Sequence, residues 1–146
     1  MLENQIGKRY AEALSGNISD TGALEKALAN LQAFEEAIQA EKQLVRFFEH
    51  PSIPTEKKQN VVQEICSRLA VESEVSKMMV LLNERGKVLY LGKIVEYFEQ
   101  VVDRRLNRTR VHVVSAHPLT DENIGRLKAA LNKILGKTIL IDTEVD

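Results

Sequence analysis

Through the first two-thirds of the chain, apolar residues recur every three or four positions, the spacing of one face of an α-helix. Ile6, Tyr10, Ala13 and Leu14 open the series, and Gly16-Asn17 breaks it. Ser19 or Asp20 is placed to cap a longer second helix, whose stripe is Leu24, Leu28, Leu31, Phe34 and Ile38. A short apolar cluster follows at Leu44, Val45, Phe47 and Phe48, and His50-Pro51 stops it, because a residue before proline is driven out of the helical region. Pro54 suits the first turn of the next helix, where its missing N–H is not needed. That helix carries Val61, Val62, Ile65 and Leu69. A fifth stripe, Val75, Met78, Met79 and Leu82, ends at Arg85-Gly86, with the glycine suited to a left-handed cap. Val88, Leu91, Ile94, Val95, Phe98, Val101 and Val102 make the sixth. Six amphipathic helices with short joins predict an antiparallel bundle over residues 1–105. Leu24, Leu28, Leu31, Ile65, Leu69, Ile94 and Phe98 are the expected core.

The period changes near residue 110. Arg110-Val111-His112-Val113-Val114 is short and β-branched and predicts a strand. Thr120 should cap a helix, with Leu119 and Ile124 stapled across the cap and Leu127, Leu131, Ile134 and Leu135 continuing the face. Gly136 should close it before a second strand, Thr138-Ile139-Leu140-Ile141. Strand, helix and strand at this spacing predict a right-handed crossover and parallel pairing. The fold class expected is therefore mainly α: a six-helix bundle followed by a small, incomplete α/β segment over residues 106–146.

Composition narrows the function more than the fold. Hydrophobic residues are 44% and charged residues 28% of 146 positions, enough for a core without disulfides or metals. A net charge of -1 offers no general attraction for nucleic acid. One cysteine, Cys66, excludes an internal disulfide and fits a reducing compartment. Met1-Leu2-Glu3-Asn4 has neither the charged nor the apolar region of a secretion signal, and no apolar run nears the roughly 20 residues of a membrane span. A cytoplasmic type of protein is expected, linked to any membrane only indirectly.

Catalytic chemistry has little support. His50, His112 and His117 share no metal-ligand spacing, and Cys66 sits on an apolar helical face where an inert thiol is expected. No phosphate-cradling glycine motif is present, so no cofactor is expected. Asp103-Arg104-Arg105-Leu106-Asn107-Arg108-Thr109-Arg110 is the one dense basic patch, and cations at the end of a helix answer its dipole without invoking RNA. Met78 to Leu82 is different. One helix face cannot absorb five consecutive apolar residues, so some must touch a second neighbour or a partner. With Ile6, Tyr10 and Ala13 on the first helix, the run that opens at Met78 suggests the wall of a groove for an amphipathic helix.

At this point the segments resemble a known family. Ile6-Gly7-Lys8-Arg9-Tyr10-Ala11-Glu12-Ala13-Leu14 is similar to the opening of ATP synthase delta subunits, whose mitochondrial relative is the oligomycin sensitivity conferral protein. Phe47-Phe48-Glu49-His50-Pro51-Ser52-Ile53-Pro54, with Lys57 and Lys58, resembles that family's link between its third and fourth helices. Leu81-Leu82-Asn83-Glu84-Arg85-Gly86-Lys87 resembles its fifth-helix end, and Val114-Ser115-Ala116-His117-Pro118-Leu119-Thr120 its strand exit. The resemblance spans the chain, and four motifs in order are more specific than any one. It departs at Ser15-Gly16-Asn17, which ends the first helix early, and at Asp146, beyond which the family continues; a cut-short chain is expected.

The resemblance implies a non-enzymatic stator part of a rotary ATP synthase, peripheral on the cytoplasmic face of the bacterial inner membrane. The bundle would hold the N-terminal helix of an alpha subunit, at Tyr10, Ala13 and Leu81. The C-terminal part would bind the b-subunit stalk, and stalk binding should suffer where that part is incomplete. The alternative from another class is a NusB-type helical RNA-binding antitermination factor. A small all-helical bundle with an Arg/Ala-rich first helix favours it, and the net charge and the strand-helix-strand tail oppose it.

Overall fold

The computed structural model describes residues 2–146, which divide into two compact units, one ending at Val102 and the other Asp103–Asp146. The first unit holds α1 (Leu2–Gly16), α2 (Thr21–Gln39), α3 (Lys42–Glu49), α4 (Thr55–Leu69), α5 (Ser73–Glu84), a single 3-10 turn (Val88–Tyr90) and α6 (Leu91–Arg105), the last turn of which runs into the second unit. The mainly helical class expected above is the class observed.

Local chemistry accounts for most of the boundaries. Asp20 caps α2, its carboxylate accepting from the Ala23 amide at 3.0 Å. His50 is extended at φ -71, ψ 113, as a residue before proline must be, and α3 ends there. Pro54 lies one position outside the helix: its ψ of 144 is extended, and α4 begins at Thr55. Gly86 takes φ 66, the Lys87 amide donates to the Leu82 carbonyl at 2.8 Å and the Gly86 amide to Asn83 at 3.0 Å. That pair of bonds is a Schellman closure. The sixth stripe starts in the 3-10 turn, with α6 proper beginning at Leu91.

The same closure ends α4 with alanine in the glycine place. Ala70 sits at φ 50, with Val71 donating to Cys66 and Ala70 to Ser67, both at 3.1 Å. A Cβ in the left-handed region costs about 1–2 kcal/mol. Ala70→Gly is therefore expected to stabilise the first unit by about 1 kcal/mol, after the extra unfolded-state entropy of glycine is subtracted. A rise in the urea midpoint at constant slope checks it.

Leu24, Leu31, Phe34 and Ile38 of α2 meet Val75, Met79 and Leu82 of α5 and Leu91, Ile94, Phe98 and Val102 of α6 in one fully enclosed core. Leu28 is buried as expected, but Ile65 and Leu69 are only half-buried. The buried pair on α4 is Val62 and Cys66, four residues apart. Both pairs have helical spacing, so periodicity alone could not choose between them; α4 presents the Val62 side. Side chains of Asn83 and Asn30 join elements far apart in sequence. Asn83, 3% exposed, donates to the Thr55 carbonyl at 3.2 Å and to Gln59 Oε1 at 2.8 Å. Asn30 of α2 accepts from the Glu72 amide at 2.8 Å, just ahead of α5.

The second unit contains β1 (Arg108–Ser115), α7 (Asp121–Leu135) and β2 (Thr138–Val145), the strands paired in parallel from Arg108↔Thr138 to Ser115↔Val145. Both strands run longer than their apolar segments predict. Thr120 caps α7, accepting from Asn123 at 3.1 Å, and Gly136 closes it at φ 68. Val111, Val113, Ile139 and Ile141 share the more buried face, while Ile124, Leu127 and Leu131 of α7 are half-buried. Ile134 and Leu135 do not continue that face under cover: they are 77% and 48% exposed. Two strands about 5 Å apart are narrower than a helix about 10 Å across, so a short strand pair cannot shield the whole of α7.

The opposite face of the strands is polar. Asp103 accepts from Arg108 Nε at 2.7 Å and Arg110 Nε at 2.8 Å, so both of these arginines of the basic patch are engaged inside their own unit. His112 lies with Nε2 2.8 Å from Glu144 and Nδ1 2.9 Å from Asp142. Both ring nitrogens can donate to carboxylates only in the imidazolium form. The Glu144 and then the Asp142 hydrogen bond hold its pKa above 6.5. A raised folded value means that this link between the strands is fully present below the unfolded pKa and is lost as pH rises through the folded one. Amide exchange in β2 should therefore quicken as pH climbs past the His112 midpoint, beyond the intrinsic pH dependence of exchange. The extra step should vanish in His112→Gln; a midpoint at or below 6.5 by NMR would contradict it.

Candidate partner-binding groove

Two antiparallel helices frame a groove on the first unit. The Tyr10 hydroxyl accepts from Arg85 Nη1 at 3.2 Å, which sets the middle of α1 beside the end of α5. Asn17 and Glu74 lie together at the other end. Between them is a cavity of about 160 Å³ lined by Tyr10, Ala13, Leu14, Asn17, Glu74, Lys77, Met78 and Leu81. Tyr10 and Met78 are buried and form the floor, whereas Ala13 is exposed and Leu81 half-buried on the walls. Ala13 leaves the opening wide because its side chain is a single methyl.

Four of the five groove residues read from the sequence therefore meet: Tyr10, Ala13, Met78 and Leu81. Ile6, one turn before Tyr10, is 6% exposed within the helical core and does not line the cavity. Leu14, Asn17, Glu74 and Lys77 were not singled out, although they follow the same helical spacing from Tyr10 and Leu81. The Met78 to Leu82 run divides as its length requires. Met78, Met79 and Leu82 are buried, while Val80 and Leu81 remain half-buried beyond the core.

A larger opening of about 510 Å³ lies elsewhere on this unit, along Glu3, Phe48, Lys58, Asn83, Tyr90 and Lys93. Size does not make it the better site, because Lys58 and Asn83 in its lining are engaged in holding the fold. Lys58 Nζ donates to the Phe48 and His50 carbonyls at 3.0 and 2.9 Å, closing the end of α3, and Asn83 is held by Thr55 and Gln59. Cys66 is buried, and burial pushes its thiol pKa up, the opposite of what a nucleophile needs. No helix among the described residues is long and apolar enough to cross a membrane.

The sequence itself matches a known family along nearly the whole chain. A sequence model of the family described as "ATP synthase delta (OSCP) subunit" covers residues 6–146. The chain belongs to that family. "ATP synthase subunit delta" of Anaeromyxobacter sp. is 31% identical over 146 residues, covering all of this chain and 82% of the relative. Those of Geotalea uraniireducens and Citrifermentans bemidjiense are 30% and 31% identical over 146 residues, each covering all of this chain and 81% of the relative. The delta family comprises stator components of the peripheral stalk, structural subunits of ATP synthase. Membership sets aside the RNA-binding alternative, and Arg108 and Arg110 of the basic patch pair with Asp103.

Proposed function

We propose that the chain is a non-enzymatic link that holds the catalytic head of a rotary ATP synthase to its peripheral stalk. The helical bundle, residues 1–105, docks the N-terminal helix of an alpha subunit in the groove between α1 and α5. Residues 106–146 belong to the part that meets the b-subunit stalk, and the whole works at the cytoplasmic face of the bacterial inner membrane. The groove is the observation that carries this reading. It is apolar on its floor, open at Ala13, and about as long as two turns of helix, taking seven residues from Tyr10 to Asn17 at about 1.5 Å each. A docked amphipathic helix sets its side chains into such a groove at intervals of three and four residues.

Such a part needs affinity and stiffness rather than bond-making chemistry. Calorimetric titration of an alpha-subunit N-terminal peptide tests it against the parent protein and Ala13→Arg. The arginine would fill the opening and bring a charge into an apolar contact. Affinity should fall by about 100-fold or more, on the scale of a cation stripped of water without a partner. Ala13 is exposed and outside the core, so the fold should survive, and circular dichroism checks that. Equal affinity for both proteins would remove the groove from the function.

A further inference from the structure

Hydrogen bonding fixes which peptide groups of β1 stay outside the strand pair. The Thr138 amide donates to the Asn107 carbonyl at 3.2 Å and the Asp146 amide to the Ser115 carbonyl at 2.9 Å, in register with Arg108↔Thr138 and Ser115↔Val145. In a parallel ladder of that phase, Thr109, Val111, Val113 and Ser115 turn their N–H and C=O groups towards β2. Arg108, Arg110, His112 and Val114 turn theirs outwards. No other strand joins this edge among the described residues, and neither a proline nor a break in the register blunts it.

The same residues carry their side chains on the polar face, so Arg108, Arg110 and His112 form a cationic row along the edge. Asp103 holds the two arginines, and Asp142 and Glu144 of β2 hold the imidazolium, which keeps the row in place. The side chains of Arg110 and His112 remain 41% and 51% exposed. Val111 and Val113 lie between them on the other, more buried face. Two such edges brought together would set cationic row against cationic row, which disfavours β1 of a second copy. The outer edge of β2 offers Ile139, Ile141, Thr143 and Val145, and no charged group among them selects a partner.

We propose that the outer edge of β1 takes up an extended segment of another protein, in which carboxylates alternate with apolar residues. The incoming strand lies about 5 Å outside β1 and pairs with its outward peptide groups. Its carboxylates fall beside Arg108, Arg110 and His112, and its apolar residues beside Val111 and Val113. β2 already shows the pattern on the inner side. Asp142 and Glu144 share the polar face with His112, while Ile139 and Ile141 share the other face with Val111. Main-chain bonds supply the affinity, and the alternation supplies the choice of partner.

The test uses the full chain, labelled with nitrogen-15, and an end-capped octapeptide that alternates glutamate with valine. At saturation the outward amides of Arg110, His112 and Val114 are expected to exchange at least about tenfold more slowly, because each gains a bond. The amides of Val111, Val113 and Ser115, already bonded to β2, should change less than about threefold. Equal slowing of both sets, or slowing of neither at up to about 1 mM peptide, overturns strand addition at this edge. A peptide with lysine in place of glutamate should bind at least about tenfold more weakly at low salt, and the gap should shrink at high salt. No gap at low salt overturns the selection by charge. Val114→Pro removes an outward N–H that β2 does not use, at a position 55% exposed, and such an edge tolerates proline. It should weaken the glutamate peptide about tenfold while the inward amides keep their protection. Undiminished affinity overturns the edge as the site. Sedimentation of the chain alone should give a monomer. Association that grows with concentration and is abolished by Val114→Pro would put a second copy on the edge and overturn the foreign partner.

Discussion

Phe98→Ala is expected to cost the helical unit about 3–5 kcal/mol, a large part of the roughly 5–15 kcal/mol that stabilises a typical domain. Phe98 is fully enclosed in α6 and belongs to the same core as Phe34 of α2. Removing the ring forfeits its transfer from water and leaves a void that helices fixed by several caps can close only in part. The urea midpoint of the first unit should drop sharply at nearly constant slope. Val95→Ala, at a half-buried position one turn earlier on the same helix, should cost clearly less. A loss under about 1 kcal/mol for Phe98→Ala would place the ring outside the core.

The second large effect is expected where a side chain is added. Gly7 is buried in α1, and a Cβ built on it would lie 2.9 Å from the Lys93 carbonyl oxygen and 3.0 Å from the Lys93 carbonyl carbon of α6. Those atoms are backbone, so α1 and α6 would have to separate. Gly7→Ala should destabilise by about 1–3 kcal/mol, against the roughly 0.5–1 kcal/mol that alanine gains over glycine inside a helix. Gly92→Ala is the contrast. Its added Cβ meets only the end of the Glu35 side chain, at 3.1 Å to a carboxylate oxygen, and that end can swing away. Gly92→Ala should be close to neutral. If Gly7→Ala were neutral as well, the close approach of the two helices would not be a constraint on the fold.

These two glycines mark a boundary of what the sequence could reveal. Helix order, the change of period near residue 110 and the parallel strand pair were all legible, because each follows from local spacing and turn chemistry. Asp20, Thr120, Gly86 and Gly136 act where their side chains or their lack of one predict. The choice between Val62–Cys66 and Ile65–Leu69 was not legible, since two stripes of the same period differ only in the rotation of α4 against its neighbours. Lys58 was visible as part of a motif, but its work, closing α3 from the following helix, depends on how the chain turns at Pro51-Ser52. The groove was read from an excess of apolar residues on α5. Ile6 lies in the core rather than on the groove, because a helical stripe wider than one contact reaches both the core and the surface.

The register of the strand pair has a mechanical side. Arg108 and Thr138 share one end of the ladder, and Ser115 and Val145 share the other. A pull applied where the chain enters β1 and where it leaves β2 therefore acts along both strands in opposite senses. The bonds between them are loaded in shear and must yield together. The Thr138 amide on the Asn107 carbonyl at 3.2 Å and the Asp146 amide on Ser115 at 2.9 Å extend the loaded set past both ends of the pairing. An antiparallel hairpin of the same length, pulled at its two adjacent ends, would instead open one bond at a time.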